Sequence, residues 1–310
     1  MPSPVRGASV AIEAIRTLAL VGPSAAGKTL IAEALLQRVG VIGAMGSLER
    51  GATVSDFDPL ERRMQHSLNS AVMHLDHEGT RIHLIDTPGG ADFLGQSLPA
   101  LEAVETAAIV INAATGIEPM AVRMMEHAAA RHLDRLIVVN RIDAAPDKLP
   151  ALLEQIRATF GKECLPLNLP DAGGTKVVDC FYNREGHSDF GAVDAAHRAL
   201  VEQVVEVDAA FVDRYLNEGD VDASELHAPL EQALREGHLI PVCFMSAKTG
   251  AGVAELLDVI VKLLPNPTEG NPPDFLNGEG EAAVPMHARP DAALHVLAHV
   301  FKVTVDPYVG

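Results

Sequence analysis

The chain has 310 residues, 48% of them hydrophobic, which is enough for about two domains and a sizeable buried core. Aromatic residues make up 4% and Trp is absent, so that core is expected to be aliphatic. A formal net charge of -18 argues against broad binding to nucleic acid, whose phosphate backbone is met by clustered Lys and Arg; local basic patches remain open at Arg62, Arg63 and over 123–135.

Strand-like and helix-like stretches alternate along the chain. Residues 17–21 (Thr-Leu-Ala-Leu-Val) read as a strand, and 30–39 as a helix with Ile31, Leu35 and Val39 on one face. Residues 72–75 and 82–85 flank His77-Glu-Gly-Thr80 and read as a hairpin, whose histidines His74, His77 and His83 are expected to be exposed rather than to hold a metal. Apolar runs at 81–85, 108–111, 136–139 and 239–243 suit strands covered on both faces. The alternation predicts an α/β fold with a mostly parallel sheet and helices on both faces.

The rhythm breaks between 160 and 237. Residues 168–190 are turn-rich around Gly173-Gly174, and a long helix is expected over 194–216, with Leu200, Val204, Val207, Phe211 and Tyr215 buried. A last helix over 253–264 is stopped by Pro265-Asn-Pro267. Residues 266–291 are rich in Pro, Gly and acid and read as a linker, and 297–310 read as a strand of a new β-rich unit that the chain end cuts short. The opening MPSPVRGASVAIEAIR lacks the apolar core of a signal peptide, and no apolar run reaches bilayer length. Cys164, Cys180 and Cys243 are odd in number and scattered, which suits a reducing cytoplasm.

Four short motifs sit at the ends of these strands. In Gly22-Pro23-Ser24-Ala25-Ala26-Gly27-Lys28-Thr29, a glycine-rich turn points backbone N–H groups at phosphates and opens a helix whose N-terminus favours anions. Lys28 can reach the β and γ phosphates and Thr29 can offer its hydroxyl to Mg²⁺. Asp86-Thr-Pro-Gly89 supplies a carboxylate for Mg²⁺ and a backbone N–H, at Gly89, for the γ-phosphate. In Asn140-Arg141-Ile-Asp143, the Asp143 carboxylate can accept from the N1 and N2 groups of guanine, donors that adenine lacks. In Ser246-Ala247-Lys248, the Ala247 N–H can meet guanine O6, while the stems of Arg141 and Lys248 can cover the base. Together the four motifs predict a P-loop site that selects GTP and GDP, with Mg²⁺ held by Thr29 and Asp86.

With these motifs in place, the chain resembles the N-terminal part of elongation factor G, a translational GTPase, over nearly its whole length. Asp86-Thr-Pro-Gly-Gly-Ala-Asp-Phe93 resembles that family's DTPGHVDF, and residues 301–310 resemble the opening of its second domain. Residues 61–72 resemble its first switch segment, ERGITI; read in register from Glu61-Arg62, the family's Mg²⁺-binding Thr falls on Gln65, with Ser67 the nearest hydroxyl. The resemblance implies five segments: 1–163 as the first part of a GTP-binding domain, 164–237 as an inserted α+β subdomain, 238–266 as the last part of the GTP-binding domain, 267–293 as a linker, and 294–310 as the first strand of a truncated β-barrel domain. It implies GTP hydrolysis with the ribosome as partner, at the large-subunit factor site and the stalk protein, by a cytoplasmic monomer that binds neither membrane nor free DNA. The acidic residues Glu202, Glu206, Asp213, Glu218, Asp220 and Asp222 make the insert a candidate stalk-docking surface, expected to be separable from the nucleotide site.

The chain departs from the family pattern at chemically important places. The family's catalytic His is Gly90, its P-loop Asp is Ala25 and its switch I Thr is Gln65, three serious departures; its NKxD Lys is Arg141, a milder one. Lys28 and Gly89 remain as the catalytic groups. The departures resemble those of elongation factor G-like paralogues and predict weak intrinsic hydrolysis. They also leave two other readings open: a slow or non-hydrolysing GTP sensor that regulates a partner, and a ribosome-protection factor of the tetracycline-resistance type.

Overall fold

The structure is a computed structural model that describes residues 10–207, 212 and 227–271, together with 275–278, 280, 283–286, 289, 291, 293 and 297–304. Its centre is a seven-stranded sheet built from β1 (Ile15–Val21), β2 (Ala71–His77), β3 (Thr80–Asp86), β4 (Thr106–Asn112), β5 (Asp134–Asn140), β6 (Cys164–Pro166) and β9 (Ile240–Phe244), in the order β2-β3-β1-β4-β5-β9-β6. Within this sheet only β2 runs antiparallel to its neighbour. The β2–β3 connection is the two-residue turn Glu78-Gly79, with φ of 47° and 80°, the left-handed pair that tight hairpins favour.

The apolar strand runs are buried on both faces, as continuous hydrophobic runs require. Leu18, Leu20, Ala108, Val110, Leu136 and Val138 point to one side, where they meet α1 (Lys28–Arg38) and α8 (Val253–Lys262). Ala19, Val21, Ile109, Ile111, Ile137 and Val139 point to the other, towards α3 (Leu94–Leu101), α4 (Pro119–Ala130) and α5 (Leu149–Phe160). Both α4 and α5 carry Pro in their first turn, where the missing N–H has no helical partner to lose.

The segment after α5 is built differently from the sequence expectation. β6 pairs with β9 and forms the edge of the main sheet, so a boundary at 164 cuts through that sheet. A three-residue strand ending in Pro has too little periodicity to be read. Residues read as turns contain the antiparallel pair β7 (Asn168–Asp171) and β8 (Lys176–Asp179). Asn168 binds both backbone groups of Phe244: its Oδ1 accepts from the amide at 2.7 Å and its Nδ2 donates to the carbonyl at 3.1 Å. The expected long helix is α6 (Val193–Val205), with Leu200 and Val204 buried and Val207 packed on the core; Phe211, Tyr215, Asp213, Glu218, Asp220 and Asp222 lie outside the described residues. α6 and α7 (His227–Glu236) share one core with α1 and α8. A deletion of 164–237 would therefore remove the sheet edge and the clasp on β9 along with the insert.

Within the stretch read as a linker, β10 (Phe275–Asn277) pairs with β11 (Val284–Met286). Residues 297–304, expected as a strand, form none; Phe301 packs on the core beside α3 and the Lys302 ammonium donates to the Ser70 carbonyl. Residues 305–310 lie outside the described residues. No helix among the described residues is long and apolar enough to cross a membrane.

One buried charge opposes the fold. Asp134 at the start of β5 is 2% exposed, and its Oδ1 has no hydrogen-bond partner among the described residues. Burial pushes its carboxyl up from 3.8 to about 7, against the pull of Arg235 and Arg135. Between these two values the folded chain holds a proton that the unfolded chain has lost, so stability falls as pH rises through the window and is level above it. Three pH units correspond to up to about 4 kcal/mol. Asp134→Asn is expected to melt higher than the parent at pH 8, with the gap closing towards pH 4. Identical melting temperatures at pH 8 would show that Asp134 ionises without cost.

Candidate nucleotide site

All four motifs meet at the C-terminal edge of the sheet. The phosphate loop leaves β1 through Gly22, at φ 132°, where a Cβ would lie 2.6 Å from the Val110 carbonyl oxygen. Ala25, at φ 61°, carries the turn through the left-handed region, and Ala26 is fully buried. Gly27, at φ 93°, caps α1 without a side chain, which leaves the first-turn N–H groups free for an anion. Lys28 is 6% exposed, and its ammonium donates to the carbonyls of Gly22 (2.9 Å) and Pro23 (2.7 Å). Burial draws it down to about 8, although Asp86 opposes the shift.

Asp86 ends β3 at 1% exposure and accepts from the Thr29 hydroxyl at 2.7 Å. Burial pushes its carboxyl up to about 6. Among the described residues neither its Oδ1 nor the buried Asp56 Oδ1 makes a hydrogen bond, and the buried Ser55 hydroxyl lies beside it. The donors around Thr29 are thus hard oxygens with unspent lone pairs, a set that fits Mg²⁺. Gly89 lies against the phosphate loop so closely that a Cβ would be 2.4 Å from both the Lys28 ammonium and the Ser24 amide nitrogen. Gly90 stands beside Phe93 and Ser24, with Cβ distances of 3.0 Å to Phe93 Cδ2 and 3.8 Å to Ser24 Oγ.

The loops 140–143 and 246–248 are tied to the glycine-rich loop by one side chain. Asn140 Nδ2 donates to the Ala26 carbonyl at 3.0 Å, while Oδ1 accepts from the amides of Arg141 (2.8 Å) and Ala247 (3.1 Å). The Ala247 N–H, expected to face guanine O6, is therefore engaged by Asn140. Asp143 follows Ile142 on a short helical turn, and its Oδ1 is buried without a partner, an acceptor awaiting donors. Ser246 is fully buried; its hydroxyl accepts from the Thr249 amide at 3.2 Å and closes the Ser246–Lys248 turn. Arg141, in the left-handed region at φ 63°, lines the phosphate cleft of about 450 Å³, whereas Lys248 lines a neighbouring cleft of about 760 Å³ with Arg38 and Lys176.

Residues that sequence reasoning missed lie in α1 and between α1 and β2. Glu33, 1% exposed, accepts from the amides of Gly46 and Val54, both at 2.6 Å. Glu61, 2% exposed, accepts from Leu68 and Asn69, both at 2.9 Å. It lies on α2 (Pro59–Met64), which Asp58 opens as a capping box, a signal readable in Asp58-Pro-Leu-Glu61. α2 ends at Gln65 in the left-handed region, at φ 57°, with its amide turned to the Glu49 carbonyl at 3.4 Å. The chain then re-enters the cleft, and Ser67 Oγ comes 3.4 Å from Thr29 Oγ1. Ser67, not Gln65, is therefore the hydroxyl beside Thr29, while the Gln65 amide is engaged by the Glu49 carbonyl.

Residues 13–266 match the family model of the elongation factor Tu GTP-binding domain. An elongation factor G-like protein of Mycobacterium tuberculosis is 34% identical over 309 residues, which span 96% of this chain and 43% of that protein. Elongation factor G of Neorickettsia sennetsu is 29% identical over 322 residues, 97% of this chain and 46% of that protein. A crystal structure from Thermus thermophilus superposes with a TM-score of 0.76 at 33% identity, covering 83% of this chain and 41% of that one. The chain spans less than half the length of the relatives it matches.

Proposed function

The chain belongs to the family of the elongation factor Tu GTP-binding domain, and on that premise we propose that it is a GTP-driven switch of the elongation factor G kind that hydrolyses GTP to GDP and phosphate in the cytoplasm, with the ribosome as its partner. The observation that carries the reading is Asn140, whose one amide fastens the phosphate loop to both base-reading loops. A triphosphate held by Lys28 and the loop amides would then present its base to the free acceptor of Asp143. Mg²⁺ would sit at Thr29 and Asp86, with Ser67 closing over it, and would supply charge compensation for the β and γ phosphates. The large-subunit factor site and the stalk protein are the proposed contacts; Glu202 and Glu206 of the proposed stalk surface are exposed.

Intrinsic hydrolysis is proposed to be slow, which keeps the GTP-sensor reading beside the GTPase one. Gly90 has no side chain to orient water, and phosphoryl transfer depends on such positioning, so losing that contact at position 90 is put at up to about 10²-fold. Ala25 likewise carries no carboxylate for a cation beside the phosphates. The test is single-turnover hydrolysis with and without ribosomes, for the parent and for Gly90→His. The parent is expected to bind GTP, turn it over slowly alone and faster with ribosomes, and Gly90→His is expected to gain rate once the Phe93 ring shifts by a few tenths of an ångström. A parent that already matches an ordinary translational GTPase, with no gain from the histidine, would sink the slow-switch reading.

A further inference from the structure

Among the described residues, the phosphate cleft holds one imidazole. His66 lines it together with Ser24, Lys28, Thr29, Gly89 and Gly90. Its neighbour Ser67 stands 3.4 Å from Thr29, which fixes the segment at the γ-phosphate end of the cleft. The His66 ring tilts against Phe93, with centroids 5.9 Å apart and planes at 42°. Phe93 is also the side chain that a Cβ on Gly90 would meet first. His66, Phe93, Ser24 and Gly90 therefore surround one space, and Gly90 leaves its share of that space empty of side-chain atoms. His66 Nδ1 lies 3.4 Å from the Ser67 carbonyl, which favours the tautomer with its proton on Nδ1 and leaves Nε2 as an acceptor.

We propose that His66 is the water-orienting residue of GTP hydrolysis in this chain, reaching the γ-phosphate from the segment before β2. The inference rests on the GTPase reading above. The other groups lining the cleft suit the task less well. Asp92 is a carboxylate facing a polyanion, Lys28 and Arg141 have no acceptor to offer, and Gln65 turns its amide to Glu49. His66 Nε2 accepts a hydrogen bond from the attacking water and aims its oxygen at the γ-phosphorus. The new P–O bond forms from that oxygen as the bond to the β–γ bridging oxygen breaks, its electron pair staying with GDP. The water's proton passes to a γ-phosphate oxygen, so the imidazole ends as it began. Because His66 sits on a segment anchored by Glu33 and Glu61 rather than on the sheet, its aim depends on how that segment is held.

The experiment compares the parent, His66→Leu and His66→Gln in two measurements: affinity for a non-hydrolysable GTP analogue, and single-turnover hydrolysis at saturating GTP. Analogue affinity is expected to stay within about twofold in both variants, which also reports that they fold. Hydrolysis is expected to fall about 10²-fold in His66→Leu and to recover most of that loss in His66→Gln, whose amide can still hold a water. Unchanged hydrolysis in His66→Leu would overturn the assignment alone. So would equal losses in Leu and Gln variants, which would mark His66 as packing for Phe93. A parent that binds the analogue but never cleaves GTP would overturn the GTPase reading together with this one.

Discussion

Lys28→Met is expected to lose at least about 10²-fold in affinity for GTP and GDP, on the order of 3 kcal/mol or more, because it removes a buried cation from the phosphate cradle. The methionine keeps the apolar stem, so the loop itself is expected to hold. In the free protein the ammonium is kept from solvent and bonded only to two carbonyls, and burial brings it down to about 8. The phosphates favour the charged form. Below pH 8 that form is already present and affinity is level. Above pH 8 the free protein must take up a proton to bind, and affinity is expected to fall by up to about tenfold per pH unit. Titration of a fluorescent GDP at pH 7, 8 and 9 checks both parts. A variant that binds as tightly as the parent would remove Lys28 from the phosphate contacts, and a parent whose affinity is flat to pH 9 would show that the buried ammonium keeps its proton there.

Asp143→Asn is expected to weaken GTP by about 2 kcal/mol or more, roughly 30-fold, and to tighten binding of xanthosine triphosphate. The buried Oδ1 has no partner among the described residues, so guanine N1–H and N2–H₂ would meet an acceptor that breaks no described bond to receive them. An asparagine places an amide there, which opposes the N2 donors of guanine but suits the carbonyl that xanthine carries at that position. Calorimetry with both nucleotides gives the comparison. Equal GTP affinity in parent and variant would place the base elsewhere, with the cleft beside Lys248, Arg38 and Lys176 as the next candidate.

Neither prediction needed more than a motif to be suspected, yet each needs the fold to be quantified. Asp143 is a common residue in a common tetrad; the buried, unpartnered oxygen is what gives it a large expected effect. Lys28 follows from the glycine spacing, but its depressed titration follows from the burial that Gly89 completes by lying on the loop.

Features that depend on near neighbours were legible in the chain. Strand runs, the Glu78-Gly79 turn and the glycines of the phosphate loop were readable, because periodicity and left-handed backbone preferences act over a few residues. Features that depend on distant partners were settled by packing. The edge strand β6 gains its place only from β9, and Asn168 only from Phe244, 76 residues away. Residues 297–304, apolar enough to read as a strand, have no strand beside them among the described residues and rest on the core through Phe301 instead. The segment before β2 shows the division most sharply. Read in family register, the Mg²⁺-binding Thr position falls on Gln65; in the structure Gln65, at φ 57°, sends its amide to the Glu49 carbonyl, while Ser67 is the hydroxyl that comes 3.4 Å from Thr29 and His66 lines the cleft beside it. That placement depends on packing contacts such as the bonds from the Leu68 and Asn69 amides to Glu61, which a local motif does not display.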